Sequence, residues 1–187
     1  MRLLTDQTSI MSFNNILTSK AITLGTLLVC SCSPKENQFT IEHKIQLESI
    51  VQLKDIMGKD SVIQLSISYS DADGDIGLSD SDTFPPFNFS SEFYHNLPIK
   101  YLVKDLSGNY NELINPSLNK PYGNQHERIP DLTPPGKYKS ISGILTINLT
   151  ANPLLIEPQS VKFEISLMDR ALNMSNTVYT EVLNLTH

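Results

Sequence analysis

Along most of this chain apolar and polar residues alternate with a period of two. Ile63, Leu65, Ile67 and Tyr69 are interleaved with Gln64, Ser66 and Ser68, the pattern of a strand with one face buried and the other wet. Ile45, Leu47, Val51 and Leu53 repeat it against Gln46, Glu48 and Gln52, with Ile50 out of phase. Ile99, Tyr101 and Val103 form a third run. The run from Tyr110 to Ile114 follows Ser107-Gly108-Asn109, whose glycine suits a hairpin turn. Ile141, Leu145, Ile147 and Leu149 alternate with Ser142, Thr146 and Asn148, and Val161, Phe163, Ile165 and Leu167 alternate with Lys162, Glu164 and Ser166. A last β-rich run extends from Thr177 to Leu185. No segment sustains an apolar 3.6-residue period over helical length. The pattern therefore predicts an all-β fold over 39–187: a single antiparallel immunoglobulin-like β-sandwich of about seven strands, each sheet buried on one face. Ile63, Leu65, Ile67, Phe163, Ile165 and Leu167 are expected to face one another across its core.

Two stretches escape the pattern. Residues 79–97 and 115–140 are rich in Pro, Ser and Asn and hold much of the aromatic content. Long irregular loops in a compact domain are uncommon and often functional. Covering unpaired strand edges is the plainer role and the one favoured for them.

The N-terminus has a different character. Arg2 and Lys20 precede the uncharged apolar run from Ala21 to Cys30, which has the length of a signal-peptide core and is too short to span a bilayer. Met1 and Met11 are alternative starts that give the same export signal. Val29-Cys30-Ser31-Cys32 follows and resembles a bacterial lipobox. In proteins with that motif the cysteine is lipidated and the chain is cut just before it, which implies a signal peptide over 1–31, lipidation of Cys32 and a tether over 32–38. The only cysteine of the mature chain is then blocked, which removes disulfides, thiolate nucleophiles and zinc thiolates from consideration. The lipid makes the membrane a partner of the protein.

At 187 residues, 40% of them hydrophobic, the chain is long enough for one domain with a real core. Its 14 basic and 20 acidic residues give a net charge of −6, so the positive footprint that neutralises nucleic-acid phosphates is missing and nucleic acid is excluded as a partner.

The sharpest chemical signal is Ser70-Asp71-Ala72-Asp73-Gly74-Asp75-Ile76-Gly77, placed where the cleanest strand ends. Asp71, Asp73 and Asp75 at alternate positions, with glycines to fold the chain back, form a candidate calcium site of hard oxygen ligands. It is not an EF-hand: Ile76 stands where that loop requires glycine, Asp82 stands where it requires a bidentate Glu, and the flanks read as strand. The alternative is a turn in which the carboxylates cap backbone N–H groups. In an immunoglobulin-like topology the turn carrying Asp169 and Arg170 emerges at the same end. Arg170 is then expected to pair with Asp71 or Asp75 as a structural clamp, a role favoured over Asp169 acting as a fourth metal ligand.

Enzymatic signals are thin. His43, His95, His126 and His187 stand in no metal-ligand spacing, and no nucleophile elbow, phosphate-binding glycine loop or zincin motif is present. A carboxylate pair for glycoside hydrolysis is the remaining enzymatic option. The expectation is a protein that is not an enzyme: a non-catalytic binding or adhesion module for a protein or carbohydrate ligand, with a structural or accessory subunit of an envelope or uptake complex as the alternative.

Together, the cysteine of the lipobox, the YSDADGDIG loop, the ERIPDLTPPGKYKSISGILTINL stretch and the terminal FEISLMDRALNMSNTVYTEVLNL resemble uncharacterised lipoproteins of Bacteroidetes-type bacteria. That resemblance covers most of the mature chain and implies one immunoglobulin- or fibronectin-III-like sandwich on the envelope, lipid-anchored in the outer membrane. Lys35-Glu36 is similar to part of a surface-export signal and favours the cell surface over the periplasmic face.

Overall fold

The computed structural model describes residues 43–133, 136, 140–154 and 156–187. Cys32, the signal segment and the tether lie outside them. Among the described residues there is no helix, and so none long and apolar enough to cross a membrane. Nine strands are present among the described residues: β1 (Lys44–Lys54), β2 (Asp60–Asp71), β3 (Ile99–Lys104), β4 (Tyr110–Asn115), β5 (Lys120–Tyr122), β6 (Ile141–Thr150), β7 (Ser160–Ile165), β8 (Val178–Tyr179) and β9 (Leu183–Asn184). They form two antiparallel sheets, one ordered β1-β2-β6 and the other β5-β4-β3-β7-β8, with β9 also on β7.

The inward residues of both sheets meet in a single core. Ile63, Leu65, Ile67, Phe163, Ile165 and Leu167 are all fully buried in it, as the alternation predicted. Complete burial of one such side chain is favourable by about 1.5–3 kcal/mol. Tyr101 is the polar exception. Its ring meets Phe163 edge-on, with centroids 5.5 Å apart, and its hydroxyl donates to the Ala151 carbonyl at 2.8 Å. Burial raises its pKa well above the ordinary tyrosine value.

β1 departs from its expected phase. A bulge falls between Leu47 and Ser49, so the strand changes face there. Ile45 and Leu47 pack inward before the bulge and Ile50 after it, while Val51 and Leu53 are exposed rather than buried. The expected terminal strand is likewise divided. Thr180 is buried, and its Oγ1 accepts the Phe163 N–H at 3.0 Å in place of a backbone carbonyl, so β8 and β9 are separate short strands. Within 115–140, residues 120–122 form β5 against β4.

Part of that segment does cover an edge. β4 pairs only with Leu102 to Lys104 of β3. The remainder of β3 is bonded by Gln125 N–H to Ile99 O at 3.0 Å, by Ile99 N–H to His126 Nδ1 at 2.9 Å, and by Tyr101 N–H to Asn124 Oδ1 at 3.0 Å.

The pairings define the two ends of the molecule. Lys44 lies opposite Ser70, so β1 begins where β2 ends, and Ile99 lies opposite Ile165, so β3 begins where β7 ends. The loop after β2 meets the turn after β7 in a bridge between Ile76 and Asp169, which places all four of these strand ends together. The opposite, distal end carries the β1–β2 and β3–β4 turns and the C-terminus, since Thr186 is bonded to Asp60.

Candidate functional site

At the first end, β2 runs directly into the acidic loop. Asp71 closes the loop by accepting the Asp75 N–H on Oδ2 at 2.9 Å, and Gly74 supplies the positive φ (75°) that the reversal needs. Gly77 is more constrained. At its φ of 103° a Cβ would lie 2.1 Å from the Pro130 carbonyl oxygen. This close approach lets Leu78 N–H bond to Ile129 O and Leu132 N–H to Ile76 O, both at 3.0 Å. Segment 127–132 is thereby stitched to the acidic loop. Asn96 holds the same segment from the other side: it is fully buried, accepts the Ile129 N–H at 2.6 Å and donates to the Ile129 carbonyl at 3.2 Å.

From β7 comes the second half of the site. Arg170 N–H donates to the Asp75 carbonyl at 3.2 Å. Asp169 is buried and shapes its own turn, accepting the Asn173 N–H and the Asn173 side-chain amide, each at 2.8 Å. Asp71, Asp75 and Asp169 each bring one carboxylate oxygen within 4.8 Å of the others. Asp73 stands beside this set, close enough for its charge to act on both Asp71 and Asp75. The three candidate calcium ligands are therefore neighbours, but the tightest three are Asp71, Asp75 and Asp169.

The electrostatics are unfavourable. Burial first, and then the charges of Asp169, Asp73 and Asp71, push Asp75 up to about 6, with the Ala171 N–H opposing. Burial also raises Asp71, helped by Asp73 and opposed by the Asp75 N–H and by His43. His43 Nε2 lies 3.0 Å from the Leu167 carbonyl and must donate to it, so Nδ1 faces Asp71 Oδ1 at 3.7 Å. The register of β1 on β2, with Lys44 opposite Ser70, sets His43 beside Asp71. Spacing along the sequence does not reveal this pair.

The guanidinium of Arg170 does not serve Asp71 or Asp75. It makes a two-pronged contact with Asp82, Nη1 to Oδ2 at 2.7 Å and Nη2 to Oδ1 at 2.9 Å. Asp82 also accepts the Ser79 N–H at 2.7 Å and the Ser79 hydroxyl at 2.9 Å. The Arg170 hydrogen bonds are the main reason that its carboxyl is held down at about 2. Arg170 is thus a clamp, but on loop 79–97. Arg128 is a second one, absent from the sequence-based expectation. It donates to the carbonyls of Tyr94 at 2.7 Å, Asp82 at 3.0 Å and Ser79 at 3.3 Å, and lies over the Tyr94 ring at 4.8 Å.

The distal end is built differently. Asp55-Ile56-Met57-Gly58-Lys59 and Asp105-Leu106-Ser107-Gly108-Asn109 form turns of one design. In the first, Asp55 Oδ1 accepts the N–H groups of Met57 at 2.8 Å and Lys59 at 3.0 Å. In the second, Asp105 Oδ1 accepts those of Ser107 at 2.8 Å and Asn109 at 2.9 Å. Each turn has a glycine at positive φ, 80° and 91°. Both present aliphatic side chains outward: Ile56 and Leu106 are fully exposed and Met57 is 76% exposed.

Compared with known protein families, with curated proteins and with solved structures, the chain matches none.

Proposed function

We propose that this chain is a lipid-anchored envelope protein, a non-catalytic module that binds a protein partner through its distal turns. The lipobox-like Val29–Cys32 segment supports anchoring through Cys32 in the outer membrane, with the cell surface favoured. The strand order supports an immunoglobulin-like sandwich, since β1-β2-β6 faces a sheet built on β4-β3-β7-β8. The observation that carries the binding role is the pair of rigid distal turns with Ile56, Met57 and Leu106 held in solvent. Exposed aliphatic residues on a prepaid, hydrogen-bonded turn suit an apolar protein surface, because little conformational freedom is left to lose on contact.

The test has two arms in cells of the source bacterium. Cys32→Ala should lose metabolic fatty-acid label and leave the membrane fraction; label persisting on the variant would remove the anchor from the reading. A photo-crosslinking residue at Leu106 or Ile56 should give a discrete protein adduct, and one at the exposed Ile144 of β6 should not. Absence of adducts from both turns, or equal adducts from all three sites, would overturn the binding surface. An adduct with an integral outer-membrane protein would favour the accessory-subunit reading over adhesion.

A further inference from the structure

Residues 124–126 lie along the part of β3 that β4 leaves open, and two of their contacts put a side chain where a ladder would put a carbonyl. Asn124 Oδ1 accepts the Tyr101 N–H at 3.0 Å, and His126 Nδ1 accepts the Ile99 N–H at 2.9 Å. Gln125 holds both sheets at once. Its N–H donates to Ile99 O at 3.0 Å, while its side chain accepts the Thr150 N–H at 2.7 Å and donates to the Thr150 carbonyl at 3.0 Å. Thr150 is the last residue of β6, so this short segment straps β3 to an outer strand of the facing sheet. The two side-chain acceptors differ in one respect. The Asn124 amide stays neutral, and its orientation is set because Nδ2 donates to Glu112 Oε1 at 2.6 Å. An imidazole accepts only while it is neutral. With Nδ1 taking the Ile99 N–H, the ring proton sits on Nε2, and a second proton would aim a donor at a donor.

We propose that residues 124–126 are an acid-released strap and that His126 is its latch: a proton on Nδ1 breaks the bond to Ile99, and Gln125 then leaves both Ile99 and Thr150. The opening has a fixed limit. Glu127 and Leu97 exchange two backbone bonds of 3.0 Å, and Asn96 grips Ile129 just beyond. The surroundings oppose a charged ring. His126 is half-buried, and burial is the first cause that holds it below the ordinary 6.5; His95 of loop 79–97, its ring centroid 6.0 Å away, is the second. Glu112 on β4 acts the other way, although its carboxylate already accepts the Asn124 amide. Lys100 on β3 again disfavours the charge and is paired with Glu164 on β7 at 2.7 Å. Because the folded value is depressed, the contribution of the latch is complete above pH 6.5 and is lost as the pH falls through that folded value. Between the two limits the opening constant rises by up to about tenfold per pH unit, the slope for one proton. Neither the lipid anchor nor the distal turns enter this inference, and its test is independent of theirs.

The experiment follows amide hydrogen exchange of the full-length chain by NMR from about pH 7.5 to about pH 5, as protection factors, so that the intrinsic pH dependence of exchange is removed. In the wild type, protection at Ile99, Gln125 and Thr150 should fall together below pH 6.5, by up to about tenfold per unit. His126→Asn puts an amide oxygen close to the place of Nδ1, as Asn124 does for Tyr101, and should keep the strap closed across the whole range. The acids of the protein titrate alike in both chains, so the difference between them isolates the latch. Nitrogen chemical shifts of the His126 ring, read in the wild type, should show the Nε2–H tautomer at pH 7.5 and protonation below 6.5 whether or not the variant folds. Protection at the three amides that does not change with pH, an equal fall in His126→Asn, a fall confined to Ile99, or an Nδ1–H tautomer would each overturn the assignment.

Discussion

Replacing Arg170 with Ala tests the physical account of the acidic end most directly, since the structure fixes both partners and predicts the pH at which the effect disappears. Two charge-assisted hydrogen bonds of 2.7 and 2.9 Å join the guanidinium to Asp82. Bonds of that kind contribute about 1.5–3 kcal/mol when shielded from water, against roughly 0.2–1 kcal/mol for exposed ion pairs. The Arg170 side chain is 33% exposed and that of Asp82 16%, so the contact lies between these limits. A loss of about 1–2 kcal/mol is expected, or about 3–6 °C in the melting temperature of a domain of this size. The Asp82 carboxyl is held at about 2, below its ordinary 3.8. Because the folded value is depressed, the contribution is complete above about pH 4 and is lost as the pH falls towards 2. Denaturant titrations at pH 7 and across the acid range would follow it in wild type, Arg170→Ala, Asp82→Asn and the double variant. Arg170→Lys should recover only part of the loss, since an ammonium cannot make the two-pronged contact. A coupling between Arg170 and Asp82 below about 0.3 kcal/mol at pH 7, or an unchanged acid limb in Arg170→Ala, would refute the reasoning.

Two further substitutions probe how segment 127–132 is held. Asn96→Ala leaves the buried N–H of Ile129 without its partner, while the Ile129 carbonyl keeps Leu78 N–H, and should cost about 1–3 kcal/mol by denaturant titration; a cost below about 0.5 kcal/mol would show that this N–H finds another partner. Gly77→Ala places a methyl carbon 2.1 Å from the Pro130 oxygen at a φ of 103° and should cost at least about 2 kcal/mol, with faster amide exchange at Leu78 and Leu132. Normal protection of those two amides in the variant would contradict the close approach.

How far the fold was legible follows from what alternation encodes. A period of two reports which face of a strand is buried, and for β2, β6 and β7 that was enough to identify the core. It carries no information on pairing partners, so a bulge is visible only as a defect. Ile50 was such a defect: the phase break is the bulge beside Glu48, and it sends Val51 and Leu53 outward. Thr180 hid itself for another reason. Its hydroxyl imitates a backbone carbonyl, so a segment that reads as one strand pairs as two. β5 was missed because Lys120-Pro121-Tyr122 is too short and polar to show any period.

Within the candidate site the local part was legible and the distant part was not. Three aspartates and two glycines in eight residues announce a tight acidic turn, and the structure has one. That Asp169 joins it depends on β2 and β7 lying in facing sheets and ending together, which the topology argument anticipated from strand count alone. The choice of partner for Arg170 had no such support. A guanidinium beside five acids goes to the one that offers both oxygens near the surface, and Asp82 does so with Ser79 orienting it. The buried acids offer less: Asp71 spends one oxygen on Asp75 N–H, and Asp169 spends both on Asn173. Burying a guanidinium among them would cost more desolvation than a single remaining prong returns.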